Sequence, residues 1–278
     1  MMRRAVVLTL LLAAAVSCAT VPRGGPGVRV LVFNIHAGKT AGGTPNLDGV
    51  ADVIRSTAAD VVLLQEVDRG TARSGKEDQL QRLADLLNAD GKNDYVTAFG
   101  KSLDYDGGEY GIAALVRGTV DRLQTEPLPV NPPQERSGKS HEPRAALTLL
   151  ASTLAGQLHV VNTHLDASRD EHYRLQESAH ILEIVNRVAG AGPLIAGGDF
   201  NAEPGSRTYL QLVFAGLRDS WLACGTGDGL TYPADKPVKR IDYLFLSGDL
   251  RCTAAQVIDT RVSDHRPLLV TITRAAGR

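Results

Sequence analysis

The run ADVVLLQEV, residues 59–67, carries Val61, Val62, Leu63 and Leu64 with no polar position between them. A strand with one wet face alternates apolar and polar side chains. A run without alternation is buried on both faces. PLIAGGDFN, residues 193–201, reads as a second strand of this kind. A sheet covered on both sides needs helices or another sheet against each face. The chain supplies helices at the right places. NLDGVADVIRSTA, residues 46–58, sets Leu47, Val50, Ala51 and Ile54 on one helical face, and DQLQRLADLLNA, residues 78–89, does the same with Leu80, Leu83, Ala84 and Leu87.

The remaining elements follow the same logic. VRVLVFNIH, residues 28–36, is a Val-rich strand, and further strands are expected at Tyr95–Phe99, Tyr110–Val116 and Arg144–Ser152. LHVVNTHLD is a strand with a polar exit. DEHYRLQESAHILEIVNRVA is a helix with Ile181, Ile184, Val185 and Val188 inward, and a shorter helix is expected near Ser206–Phe214. RIDYLFLS, RCTAAQVI and RPLLVTITR close the chain as strands. Strand, helix, strand and then more strands occur twice. That rhythm predicts an α/β fold: a four-layer α-β-β-α sandwich, two mixed sheets face to face with helices outside. At 43% hydrophobic and 22% charged, the 278 residues suffice for such a core.

The N-terminus stands apart. MMRR followed by AVVLTLLLAAAV is a basic segment and a short apolar run that ends in small residues, the pattern of a signal peptide over residues 1–17. AVSCAT then resembles the lipobox of bacterial lipoproteins, in which the cysteine becomes the lipidated first residue. The expectation is export to the periplasm or cell envelope, with a membrane tether through lipidated Cys18, or secretion. Residues 18–27 would be a tether, and residues 28–278 a single domain. An oxidising compartment allows a Cys224–Cys252 disulfide, and two separate buried thiols remain the alternative.

The buried strands carry residues unsuited to a core at one end: Asn34 and His36; Glu66; Asn162, His164 and Asp166; and Asp199 and Asn201 at their exits, Asp242 in the opening turn of RIDYLFLS, and Asp264 and His265 directly before the last strand. A lone buried carboxylate is costly. Six polar sets at strand ends are economical only if those ends converge on one cleft, where α/β proteins hold ligands. Asn, Glu and Asp offer hard oxygens without cysteine, a donor set suited to Mg²⁺ or Mn²⁺. Histidines beside aspartates handle protons. Together they fit hydrolysis of a phosphoester.

LQEVD, NTHLD, GDFNAEP, RIDYLFLS and SDHRP, in this order, resemble the endonuclease/exonuclease/phosphatase superfamily, the DNase I-like fold, from about Val30 to Val270. VDRGTARSGKEDQ and GGEYGIAAL look most like its small bacterial metal-dependent hydrolases. The resemblance implies that Glu66 is the principal metal ligand, with Asn34 and Asp264 nearby. It implies that Asp199 orients or deprotonates the attacking water, and that Asn201 holds the phosphate or that water. His265, paired with Asp242, would bind the phosphate and stabilise developing charge. His164 would do so from the other side or protonate the leaving oxygen. Arg144 would contact a phosphate oxygen.

The substrate stays open among a nucleic acid, a phospholipid head group such as sphingomyelin's, and a small phosphoester such as an inositol phosphate. A net charge of −1 excludes a globally basic DNA-coating surface, and 5% aromatic residues leave no aromatic-rich hairpin for a lipid interface. The Pro-rich segment PLPVNPPQERSGKSHEP, with the Arg144 that follows it, offers Arg136, Lys139 and Arg144 but also Glu135 and Glu142, a modest basic patch. A noncatalytic binding protein on the same scaffold is the alternative of another class. No protein partner is inferred.

Overall fold

The computed structural model describes residues 27–91, 94–133, 142–153, 156–248 and 250–274. The expected signal peptide, Cys18, and Arg136 and Lys139 lie outside them. Strand β1 (Val28–Asn34) runs through helix α1 (Leu47–Thr57) into β2 (Val61–Arg69), and α2 (Gln79–Asn88) leads to the hairpin β3 (Tyr95–Tyr105) and β4 (Gly108–Arg117). Next come β5 (Thr119–Leu128), β6 (Arg144–Thr153), β7 (Gly156–His164), α3 (His172–Ala189) and β8 (Leu194–Asp199). The chain ends with α4 (Arg207–Phe214), β9 (Arg218–Asp219), α5 (Ser220–Cys224), β10 (Asp242–Leu246), β11 (Leu250–Val257) and β12 (Leu268–Arg274).

The strands form two six-stranded sheets, ordered β11-β12-β1-β2-β4-β3 and β5-β6-β7-β8-β10-β9. Among the described residues, only β1 with β2 and β7 with β8 pair in parallel, each through a helical crossover. The two-residue period of a strand sorts the core into layers. Val30 and Val32 point between the sheets, where Leu63, Ile112, Leu147, Val160, Ile195 and Leu244 meet them. Leu31 and Phe33, on the opposite face, pack under Val50, Ile54, Leu83 and Leu87 of α1 and α2. Val161 and Phe245 likewise face Ile181, Ile184 and Tyr209 of α3 and α4. The result is the α-β-β-α sandwich.

The edge strand β5 went unread, as did the short elements β9 and α5. β5 is almost wholly exposed and bulged, with Arg122 at φ 50°, so no apolar alternation marks it. β3 runs to Tyr105, past the expected Phe99, because the hairpin with β4 continues beyond its buried part. Helix α4 starts where expected, and Ser206 caps it by accepting from Tyr209 N. Cys224 and Cys252 form a disulfide that ties α5 to β11, with Cα atoms 5.8 Å apart.

The pairing register gathers the polar strand ends. Asn34 lies opposite Gln65 in the parallel β1–β2 pair, and His164 lies opposite Asp199 in β7–β8. β10 runs antiparallel to β8, so its first residue, Asp242, also pairs with Asp199. β12 runs antiparallel to β1, with Leu268 opposite Val32, which brings the preceding Asp264 and His265 to the same edge.

Candidate active site

The residues before Asp199 explain its placement. Gly198 has φ 144°, and a Cβ there would meet Thr163 O at 1.9 Å. Only glycine lets β8 approach β7 this closely. Asp199 is therefore delivered by a backbone fixed on both sides. Glu66 and Asn201 take left-handed conformations, φ 58° and 46°. Glu66 sits where the β2–β4 register shifts between Leu64 and Val67, a bulge that re-aims its side chain. Such backbone strain persists where surrounding structure enforces it, and it concentrates at functional sites.

Asp199 is the hub. Its Oδ1 accepts from Asn201 N at 2.9 Å, and its Oδ2 accepts from Asn34 Nδ2 at 3.0 Å. His164 Nε2 and His265 Nε2 each lie 3.5 Å from that Oδ2. The same Asn34 amide nitrogen donates to Glu66 Oε1 at 3.0 Å, joining Glu66 to Asp199. Asn34 Oδ1 accepts from His36 N. Asn34 thus bridges two carboxylates here, and its oxygen becomes a metal donor only if the amide turns. Burial pushes Asp199 up to about 7, against the opposing charge of His265 and the hydrogen bonds from Asn201 and Asn34.

The two histidines that flank Asp199 differ in charge. His265 Nδ1 donates to Asp242 Oδ2 at 2.9 Å. Burial opposes its charge, but Asp242 and Asp199 outweigh burial and raise it to about 10, so His265 is cationic at neutral pH. His164 Nδ1 lies 2.9 Å from Arg144 NH1. A guanidinium only donates, so Nδ1 accepts and the ring proton sits on Nε2, 3.5 Å from Asp199 Oδ2; Asn201 Nδ2, 3.2 Å from the same nitrogen, then has no acceptor on the ring. Burial first, then Arg144 and His265, hold His164 well below its usual value, and the ring is neutral.

These groups line a cleft of about 680 Å³ together with Glu66, Arg144, Asn201 and Asp264. Every residue assigned from the sequence reaches it or supports it. Asn34 and Asp242 stand behind Asp199 and His265. Arg144, expected to contact a phosphate oxygen, lines the cleft. Its NH1 is committed to His164 and its side chain is only 5% exposed. Asp166 accepts from Ser168 N and shapes the turn after β7. His36 lies beside Asp264, with Nδ1 at 3.8 Å from Oδ1 and at 3.2 Å from Thr40 O. The sequence reading missed Tyr232, whose ring centre is 4.8 Å from that of His265, and it missed Arg73 and Lys239 on the cleft wall. Tyr232 follows a loop that has no periodicity to flag it. Arg73 was visible within VDRGTARSGKEDQ but had no chemistry attached.

Two sets of residues offer themselves to a metal. Asp199, Asp242 and His265 bring ligand-type atoms within 4.8 Å of one another. That set requires His265 to surrender a proton that two aspartates hold. Glu66 and Asp264 instead present half-exposed carboxylates to the cleft with Asn34 behind Glu66, and this hard-oxygen set fits a small divalent cation.

The sequence model of the endonuclease/exonuclease/phosphatase family matches residues 31–265. The chain belongs to that family. No curated protein sequence matches it. Among solved structures, an endonuclease/exonuclease/phosphatase from Beutenbergia cavernae superposes with a TM-score of 0.70 at 24% identity, covering 90% of this chain and 72% of that one. A mannosyl-6-phosphatase from Bacteroides thetaiotaomicron gives 0.70 at 19%, covering 88% and 99%. The human nocturnin catalytic domain, with a bound sulfate anion, gives 0.65 at 21%, covering 90% and 95%. These neighbours share the DNase I-like fold.

Proposed function

We propose that this protein is a Mg²⁺-dependent hydrolase of phosphoester bonds that attacks phosphorus with water in line with the leaving group. Family membership supports phosphoester chemistry. The observation that carries the reading is a buried carboxylate, Asp199, whose Oδ2 lies 3.5 Å from the Nε2 atoms of both His164 and His265 at the wall of the cleft. Asp199, up at about 7, matches the task of taking a proton from water at neutral pH. His265, charged and oriented by Asp242, stabilises negative charge that develops on the phosphoryl oxygens. His164 donates through its Nε2 proton, a role that fits a neutral ring better than a cationic acid does. Arg144 fixes that tautomer. Asn201 ties Asp199 to the turn at Leu165 through its backbone N–H and its amide.

Glu66 and Asp264, with Asn34, would hold the metal; a bound Mg²⁺ or Mn²⁺ supplies charge neutralisation at the phosphoryl oxygens. Export and lipidation at Cys18 complete the proposal, and Cys18→Ser should then move the protein from the membrane fraction to the soluble one. The catalytic assignment is tested with Asp199→Asn. Turnover of bis-p-nitrophenyl phosphate should fall by about 10²–10⁴-fold with circular dichroism unchanged. Wild-type turnover in that variant would remove Asp199 from the reaction.

A further inference from the structure

Helix α3 packs on the second sheet through Ile181, Ile184 and Val185. Glu177 lies on the same buried side and is fully buried, with Arg174 almost so. Charges on the core face of a helix are costly and call for partners. Their partners are the backbone just past the catalytic strand β7. Glu177 Oε2 accepts from Asp166 N at 2.8 Å. Arg174 NH1 donates to Asp166 O at 3.0 Å and to Ser168 O at 2.6 Å. From the cleft side, Leu165 N donates to Asp199 O at 2.9 Å, and Asn201 Nδ2 donates to Leu165 O at 3.0 Å. The turn that follows His164 is therefore gripped from both sides.

Glu177 Oε1 and Arg144 Nε are both buried and have no hydrogen-bond partner among the described residues. Arg144 and Glu177 act on each other's charge, and Arg174 also favours the ionised Glu177. Arg144 is the side chain that fixes the tautomer of His164. Glu177 is not among the residues lining the cleft. We infer that Glu177 is a positioning residue, a buried carboxylate that together with Arg174 holds the turn after β7, and with it His164, in the geometry the cleft needs.

This inference rests on the hydrolase reading only for its kinetic test. The full chain would be compared with Glu177→Gln, and with Arg174→Met, which loosens the same turn without adding a charge. Assays belong near pH 8, because burial pushes Glu177 up to about 7 and the carboxylate then dominates. Glutamine keeps an acceptor for Asp166 N but removes the charge. The expected result for Glu177→Gln is a kcat on bis-p-nitrophenyl phosphate lowered about tenfold or more, with KM nearly unchanged and the melting temperature not lowered. In ¹⁵N spectra, His164 should lose its single fixed tautomer. Unchanged kcat together with an unchanged His164 spectrum would overturn the proposal. If the wild type cleaves no probe, the hydrolase reading fails and the His164 spectrum decides alone. If Glu177→Gln does not fold, Arg174→Met must disturb the His164 spectrum, and an undisturbed one overturns the proposal.

Discussion

Glu177 has no exposed surface, and burial pushes its carboxyl from 4.5 up to about 7, against the Asp166 N–H bond and Arg144. Below the unfolded value both states hold the proton, and no penalty exists. As pH rises from 4.5 to 7, the unfolded chain releases the proton while the folded one keeps it, so stability falls. Above 7 the penalty levels off at about 3 kcal/mol, from 1.36 kcal/mol per unit over the difference. At pH 5 it is under about 1 kcal/mol. Glu177→Gln imitates the protonated carboxyl and should remove the penalty. The variant should therefore be stabilised by about 3 kcal/mol at pH 8, roughly 6–12 °C in Tm, and by much less at pH 5. Asp199 also titrates near 7 but is present in both proteins, so it cancels in the comparison. Urea unfolding of both proteins at the two pH values measures the effect. A variant less stable than wild type at pH 8, or one with the same gain at pH 5, would refute the reasoning. A more stable but slower enzyme is the expected mark of a residue retained for positioning.

Asp242→Asn removes the strongest source of His265's charge after burial is overcome. His265 should then lose its proton at lower pH, so the alkaline limb of kcat/KM moves down, and kcat falls by about 10²-fold; an unmoved limb in a pH–rate profile would contradict the pairing. Cys252→Ser opens a loop closed across 28 residues and should cost about 3–4 kcal/mol in oxidised protein, read by urea unfolding. An unchanged midpoint would show that the bridge contributes no stability.

The layers were legible because the strands that form them are apolar on both faces, as in Val61 to Leu64, and because the helices carry one apolar stripe each. The edge strand β5 was not, since nearly all its side chains face water. The site was legible for a related reason. A carboxylate or amide that ends an apolar strand, as Asp199 and Asn34 do, has no packing role to explain it. What stayed hidden was pairwise. No spacing says that Arg144 spends NH1 on His164, or that the two histidines differ in charge, because both depend on the β6–β7–β8 register. Glu177 was hidden most fully, since a glutamate between turns of an amphipathic helix reads as its wet face.

If the strand-end residues form a metal-dependent phosphoesterase, turnover must need both the metal and Glu66. The most direct measurement is hydrolysis of bis-p-nitrophenyl phosphate, plasmid DNA, sphingomyelin and an inositol phosphate with Mg²⁺, Mn²⁺ or EDTA, using wild type and Glu66→Ala. Cleavage of at least one substrate is expected with metal. EDTA should abolish it, and Glu66→Ala, still folded, should lower it by orders of magnitude. Turnover that persists in EDTA or in Glu66→Ala would contradict the metal assignment. Silence across the panel, without metal binding, would place a noncatalytic protein on this scaffold.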